Sequence, residues 1–421
     1  MNRPESRPPS VDKLARSIAD TGLPHPMLVE AARQAIADGA PEKAREIATA
    51  TLRRMLGPVI NATGTLLHTN LGRAPLAWSQ PEQYTNLELD LTTGERGSRM
   101  ATAAALVARA CGAEAALIVN NCAAAVLLAL GGLAEGKDVV VSRGELVEIG
   151  GGFRIPEVMA RSGARLVEVG TTNRTRVSDY RQAVDDPAHD VGVVLQVHQS
   201  NYRIVGFTEA PTTSELAALA APLVADIGSG LLDSRCPWLP GGPPGWLDAE
   251  PAARQTLAAG AGLVMFSGDK LMGGPQAGII AGDAELVARC ARHPLARALR
   301  PGALVIAALQ ATALAYLAED GQAIPFWRMA TLSLEELRSR ADRYGAGAII
   351  DTESTPGGGT LPGVAIPSIG IAVNGDQRQL LRELSRPIIA RVDHDQTVID
   401  LRTVHPDDDD YVAEALRSLT N

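Results

Sequence analysis

Lys270 stands in the run Phe266-Ser-Gly-Asp-Lys-Leu-Met-Gly-Gly-Pro-Gln276, directly after a β-rich stretch. Glycines on both sides let the backbone approach a flat ligand closely. The chain has only four lysines, Lys13, Lys43, Lys137 and Lys270, and relies on arginine for its other positive charge. Of the four, only Lys270 lies in a Gly-dense turn after a β run, which weakens the alternative of a plain surface lysine. An amine so placed suits a Schiff base with an aldehyde cofactor.

Asp226 lies in Leu223-Val-Ala-Asp226-Ile-Gly-Ser-Gly230, 44 residues before Lys270. A carboxylate at the end of a buried strand is costly unless paired. A protonated pyridine ring is a fitting partner, and that ion pair makes pyridoxal 5′-phosphate (PLP) an electron sink. A helix cap or a metal-site acid is the plainer alternative. The order strand, acid, strand, lysine favours the cofactor. Its phosphate needs donors, and backbone amides at a helix N-terminus supply them. Asn120, Asn121 and Cys122 follow a β run and open a helix. Simple N-capping by either asparagine is compatible with the same geometry. Ser229 and Ser267 complete the candidate cofactor set, and Asp269 immediately precedes Lys270.

Two arginine pairs are further candidates. Arg96 and Arg99 share a Gly-containing loop, and Arg297 and Arg300 have the spacing that would put both on one helix face. Guanidinium forks suit phosphate or carboxylate; surface salt bridges are the alternative. The stretch Gly131-Gly-Leu-Ala-Glu-Gly-Lys137 imitates a phosphate-binding loop, but Asp138 follows its lysine and a helix precedes it. That loop requires strand, loop, helix, so the stretch is expected to be a helix-to-strand turn.

These residues need a scaffold. Seven β runs are expected, at 116–120, 138–142, 165–169, 193–198, 223–227, 263–266 and 277–281, with helical patterns such as 122–133 and 213–221 between most of them. Apolar runs alternating with helices indicate a mainly parallel sheet covered on both faces. Only about ten residues separate the last two runs, fewer than a parallel crossover needs, so the seventh strand is expected to be antiparallel. A long apolar helix is expected at 301–317. We divide the chain into 1–57, a helical domain with patterns near 11–21, 27–38 and 41–56; 58–317, a large α/β domain; and 318–421, a small α/β domain. In the third helix Ala44, Ile47, Ala48, Leu52 and Met55 mark one face. The aspartates at 407–410 are expected to sit at the N-terminus of the last helix, where the dipole favours them.

Bulk properties bound the function. The 421 residues carry a net charge of −9, which does not advertise nucleic-acid binding. Residues 1–60 are the exception, with nine Lys or Arg against seven Asp or Glu. The four cysteines form no C-x-x-C pair, so no zinc site or disulfide framework is expected. No secretory signal or membrane-length apolar stretch is visible, and a reduced cytoplasmic setting fits.

A seven-stranded sheet with one antiparallel member resembles the large domain of fold-type I PLP enzymes. More specifically, the chain resembles the bacterial L-seryl-tRNA(Sec) selenium transferases, or selenocysteine synthases. The resemblance rests on 59–73 (VINATGTLLHTNLGR), 141–150, 170–174, 200–202, 226–230, 267–278 and 399–404. It implies PLP on Lys270, loss of water from a seryl group on tRNA(Sec) to an aminoacrylyl intermediate, and selenium addition from selenophosphate. It implies that Lys270 shuttles the proton with Asp269 assisting as acid or base, and that Arg96, Arg99, Arg297 and Arg300 surround the selenium donor. It also implies tRNA binding by residues 1–57 and a homo-oligomer, a ring decamer or at least a dimer. No residue stacking on the pyridine ring is singled out; Glu145, Glu148 and His198 lie near the relevant strand ends. Two alternatives stay open: a PLP lyase or sulfur-handling enzyme acting on a free amino acid, and a tRNA-binding scaffold on an inactive PLP fold.

Overall fold

The computed structural model describes residues 10–80, 82–149, 152–248 and 250–420. Its contacts separate two compact units, one running to Ile60 with Glu383–Pro387, the other Asn61–Arg382 with Ile388–Asn421. In the smaller unit, α1 (Val11–Ser17), α2 (His25–Ala37) and α3 (Ala44–Arg53) pack small side chains together. Ala15, Ala32, Ala35 and Ala48 are fully buried. Pro41–Lys43 forms a 3₁₀ turn before α3. The expected apolar face of α3 is only partly covered: Ala44 and Ala48 are buried, but Leu52 and Met55 are 41% and 44% exposed.

The larger unit is organised on seven strands. They are β1 (Ala115–Val119), β2 (Asp138–Ser142), β3 (Arg165–Val169), β4 (Val191–Val197), β5 (Leu223–Gly228), β6 (Leu263–Ser267) and β7 (Gly278–Gly282). Their order is β1-β7-β6-β5-β4-β2-β3. The pairings among β2 to β6 are parallel, and β7 is antiparallel to both β1 and β6, as the short connection requires. Val-, Ile- and Leu-rich strands buried on both faces suit this arrangement.

The covering helices show why. α4 (Ala101–Cys111) and α5 (Cys122–Ala134) follow, then α6 (Val177–Asp185), α7 (Ala284–Arg292) and α8 (Ala303–Leu317). α5 is apolar on nearly all sides because strands and α7 enclose it. Gly131 and Gly132 lie inside it, and Gly136 turns the chain into β2 with φ +73°, so the imitation phosphate loop is a helix-to-strand turn. The helix expected over 213–221 ends at Ala217.

A second antiparallel sheet, also within the larger unit, contains β8 (Ala348–Ser354), β9 (Ile366–Asn374), β10 (Ile388–Asp393) and β11 (Gln396–Asp400). β11 lies between β10 and β9, and β8 pairs with β9. The aspartates at 407–410 do more than meet a helix dipole. Asp409 opens α9 (Asp409–Thr420), takes both prongs of the buried Arg340 guanidinium at 2.7 and 2.9 Å, and accepts from Tyr344 Oη at 2.8 Å. No helix among the described residues is long and apolar enough to cross a membrane.

Candidate active site

Parallel strands deliver their carboxyl ends to one edge, where ligands of open α/β sheets bind. A cavity of about 440 Å³ opens there, and Asn121, Cys122, Asp226, Ser267, Asp269 and Lys270 all line it. Residues spread over 150 positions therefore meet in one place, as the spacing of strands and turns requires.

The turn carrying Lys270 is held from several sides. Gly268 N–H donates to Ala277 O at 2.9 Å and Leu271 N–H to Ser229 O at 2.8 Å. Tyr316 Oη, from α8, donates to Met272 O at 2.9 Å, and receives Trp327 Nε1–H at 2.7 Å. Trp238 packs edge-on to Tyr316 with ring centres 4.6 Å apart. Lys270 is 8% exposed. Such clamping keeps an amine in one orientation, which a covalent anchor needs.

Asp226 is 6% exposed. The register against β6 shifts between Asp226 and Gly228, where Gly228 takes φ +62°. A bulge of this kind re-aims side chains beside a site. Burial pushes the Asp226 carboxyl above its ordinary value, and the charge of Lys270 only partly offsets this. Its side-chain hydrogen-bonding partner is the Cys122 thiol at 3.5 Å, and the Gly228 N–H also donates to it. A buried acid with so weak a side-chain partner calls for a cation, and a pyridinium N–H answers that need. The hydroxyl of Ser200, in the cavity lining, is buried and has no hydrogen-bond partner among the described residues. Unmade bonds of this kind are costly unless a ligand completes them. The residues present therefore fit PLP.

α5 begins at this cavity. Asn121 caps it, its side chain accepting from Ala124 N–H at 2.9 Å. The first-turn amides at Cys122 and Ala123 precede the helical ladder and remain available to an anion. A Cβ on Gly278 would lie 2.0 Å from Asn121 O, so only glycine lets β7 pass this close to the helix start. Asn120 is exposed and absent from the lining; its backbone N–H bonds Leu299 O at 3.0 Å. Ser229 lies behind the wall, outside the lining. Burial raises the Cys122 thiol well above its usual range, so it is a small contact residue and not a ready nucleophile.

Arg73 and Gly359 are lining residues that were not singled out from the sequence, whereas His198 was placed near a strand end. Arg73 Nη1 lies 2.6 Å from Asp269 Oδ2. His198 leaves β4, and its backbone N–H donates to Asp226 O at 2.8 Å. Of the three residues near the strand ends, His198 lines the cavity and Glu145 and Glu148 do not. Gly359, in the glycine-rich loop after β8, comes so close that a Cβ there would be 3.9 Å from Lys270 Nζ. The sequence signal for Arg73 was its place in the TNLGR stretch; for Gly359 it was the run of three glycines.

The arginine candidates lie elsewhere. Arg96 Nη2 and Arg99 Nε reach Glu88 at 2.7 and 2.8 Å, and Arg300 Nη1 is 3.8 Å from the same carboxylate. Arg99 and Glu88 line a neighbouring cleft of about 430 Å³ against α8. The helix Leu295–Ala298 ends before Arg300, so the expectation that Arg297 and Arg300 share a helix face is corrected: Pro294 and Pro301 bracket too short a stretch. Arg297 is exposed. None of the four arginines lines the Lys270 cavity. Among the described residues, no group of three or more His, Cys, Asp or Glu side chains could hold a metal ion.

Comparison with known proteins adds a family. Residues 59–405 match the family model described as L-seryl-tRNA selenium transferase. The L-seryl-tRNA(Sec) selenium transferase of Carboxydothermus hydrogenoformans is 45% identical over 387 residues, covering 85% of this chain and 81% of that protein. The protein of the same name from Geobacter sulfurreducens is 44% identical over 424 residues, covering 92% and 88%. Among solved structures, D-glucosaminate-6-phosphate ammonia-lyase superposes with a TM-score of 0.59 at 21% identity, covering 86% of this chain and 96% of that one. That likeness concerns the fold alone, the fold-type I architecture of PLP enzymes.

Proposed function

The chain belongs to the L-seryl-tRNA selenium transferase family, and we propose that Lys270, Asp226 and Asp269 run its reaction in the cavity at the carboxyl edge of the sheet. The enzyme is a PLP-dependent transferase that makes selenocysteinyl-tRNA(Sec) from seryl-tRNA(Sec). The lyase and inactive-scaffold alternatives are not favoured, since the similar curated proteins carry the transferase name.

Bound PLP supplies an electron sink for the pair left behind when the α-proton of the seryl group departs. Asp226 would hold the pyridine nitrogen protonated, and burial would strengthen that interaction. The amides opening α5 with Asn121 and Cys122, and the hydroxyl of Ser267, would hold the phosphate. Lys270 Nζ would anchor the cofactor and, once the seryl amine displaces it, would take the proton from the α-carbon. Asp269, fixed by Arg73, assists proton delivery to the departing β-hydroxyl, so that water leaves. The selenium of selenophosphate then bonds the β-carbon, a proton returns to the α-carbon, and water cleaves the P–Se bond to release phosphate.

Selenophosphate is the selenium donor in this reading, held by Arg96, Arg99, Arg297 and Arg300. They do not line the Lys270 cavity, so donor capture is read as a neighbouring event that a homo-oligomer would complete. Residues 1–57 grip the tRNA, and the protein works in the cytoplasm.

The observation that carries this reading is the meeting of Lys270, Asp226 and the capped start of α5 in one cavity. The test is conversion of seryl-tRNA(Sec), with selenophosphate, by wild type and by Lys270→Ala. Wild type should show a visible cofactor band and form product; Lys270→Ala should lose both. A colourless protein that PLP does not restore would overturn the reading. Turnover of free serine with no tRNA binding at low salt would favour the lyase.

A further inference from the structure

Glu145 is a buried acid that the mechanism leaves unused. Glu145 ends the 3₁₀ turn Arg143–Glu145 that follows β2. Its Oε2 accepts the N–H of Val197, the last residue of β4, at 3.0 Å. The hydroxyl of Tyr180, on α6, bonds the same carboxyl group and accepts Ser142 N–H at 2.9 Å. Beside it, Gly144 O accepts Gln199 Nε2–H at 2.6 Å and Tyr202 Oη–H at 3.4 Å. Asn201 Nδ2 donates to Glu148 O at 3.2 Å. The turn thus grips the segment 197–202 along its length. That segment supplies His198, Ser200 and Asn201 to the wall of the Lys270 cavity.

The charges around Glu145 are spoken for. Tyr180 from α6 and Tyr202 from the loop after β4 are the titratable groups facing it. Arg143 pairs with Glu168, and Arg174 and Arg176 pair with Glu209. His198, across the strand end, lies 3.4 Å from Glu250. Among the described residues no cation bonds Glu145. An ionised carboxylate there would be a buried, uncompensated charge.

We propose that Glu145 is a positioning residue which, as a neutral carboxyl group, holds the His198–Asn201 wall in place for the cofactor. Burial supports this by pushing its carboxyl up to about 8, against which the Val197 N–H and the Tyr180 hydroxyl act only in part. The sign follows from the ordinary value of 4.5. The unfolded chain releases this proton near 4.5 and the folded chain only near 8. Stability is therefore full at low pH, falls through that window and levels off above it. The local event, ionisation inside the folded protein, begins near 8 and loosens the wall.

The inference rests on the cavity being the PLP site, and one experiment separates the two. PLP dissociation constants and the visible circular dichroism of bound PLP are measured for wild type, Glu145→Gln and Glu145→Ala holoenzyme from pH 6.5 to 9.5. Wild type and Glu145→Gln should match near pH 7. At pH 9 wild type should bind about tenfold more weakly relative to Glu145→Gln, as its competent fraction falls. Glu145→Ala should be weak throughout; if it does not fold, the other two decide. Thermal unfolding of the apoproteins, read in parallel, should show the wild-type advantage over Glu145→Gln shrinking between pH 4.5 and 8. Equal alkaline losses in wild type and Glu145→Gln would overturn the proposal, as would a Glu145→Gln protein already weak at pH 7. Failure of every form to bind PLP at pH 7 would instead remove the site reading.

Discussion

The Arg73 guanidinium sits 2.6 Å from the carboxylate of Asp269, one residue before the lysine that anchors the cofactor. Asp269 is almost fully buried and Arg73 half-exposed at the cavity wall. The backbone reinforces the pair, because Ala74 N–H donates to Asp269 O at 3.2 Å. An acid tied in this way has a fixed direction, and direction is what proton delivery at a reacting carbon requires.

Asp269→Asn and Arg73→Ala should therefore keep the visible cofactor band but lose turnover, by about a hundredfold or more for Asp269→Asn. Single-turnover conversion of seryl-tRNA(Sec), read beside the absorption spectrum, tests this. Loss of the band together with activity would make the pair a cofactor-holding element instead.

Asp226→Asn should separate stability from catalysis. Burial raises the carboxyl of Asp226, so without cofactor the ionised side chain carries a penalty at neutral pH that a neutral isostere lacks. Apo Asp226→Asn is expected to melt at or above the wild-type temperature. Its activity should collapse, since the pyridine nitrogen loses its counter-charge. A markedly lower apo melting temperature would contradict this account.

Gly278→Ala inserts a methyl group where 2.0 Å separates it from Asn121 O. Backbone has to move, and the helix start that offers amides to the phosphate moves with it. PLP affinity should fall by about tenfold or more, with β7 still formed. Equilibrium dialysis against PLP gives the number, and unchanged affinity would show that α5 does not hold the phosphate.

Arg340→Ala leaves the largely buried Asp409 with only Tyr344 and, at 3.9 Å, the exposed Arg343 as side-chain partners and strips two carbonyls, Leu401 O and Val404 O, of this donor. Breaking a buried pair from one side costs about 3 kcal/mol. Denaturant titration should show a loss of that order. Replacing both Arg340 and Asp409 with apolar residues should recover much of it.

Much of the fold could be read from apolar runs. β2 and β3 match their expected limits, and the antiparallel β7 followed from the short link after β6. Lys270 and Asp226 were legible because glycines and strand ends announce themselves locally. Arg73 was not, since its meaning depends on a partner 196 residues away. Arg297 and Arg300 misled because an i, i+3 spacing presumes a helix, and flanking prolines cut that helix to Leu295–Ala298. Leu52 and Met55 looked like core because periodicity reports a face, not whether anything covers it.

The aromatic floor under the Lys270 turn has a practical side. Trp238 and Trp246 lie with ring centres 5.5 and 6.4 Å from Trp327, and Trp327 reaches the turn through Tyr316. Three of the chain's four tryptophans therefore occupy one spot, leaving Trp78 as the only other tryptophan. Intrinsic fluorescence of this protein is a local signal from beneath its cofactor lysine. An absorbing ligand bound above that floor would quench it by energy transfer, so the native chain can report its own loading without a label.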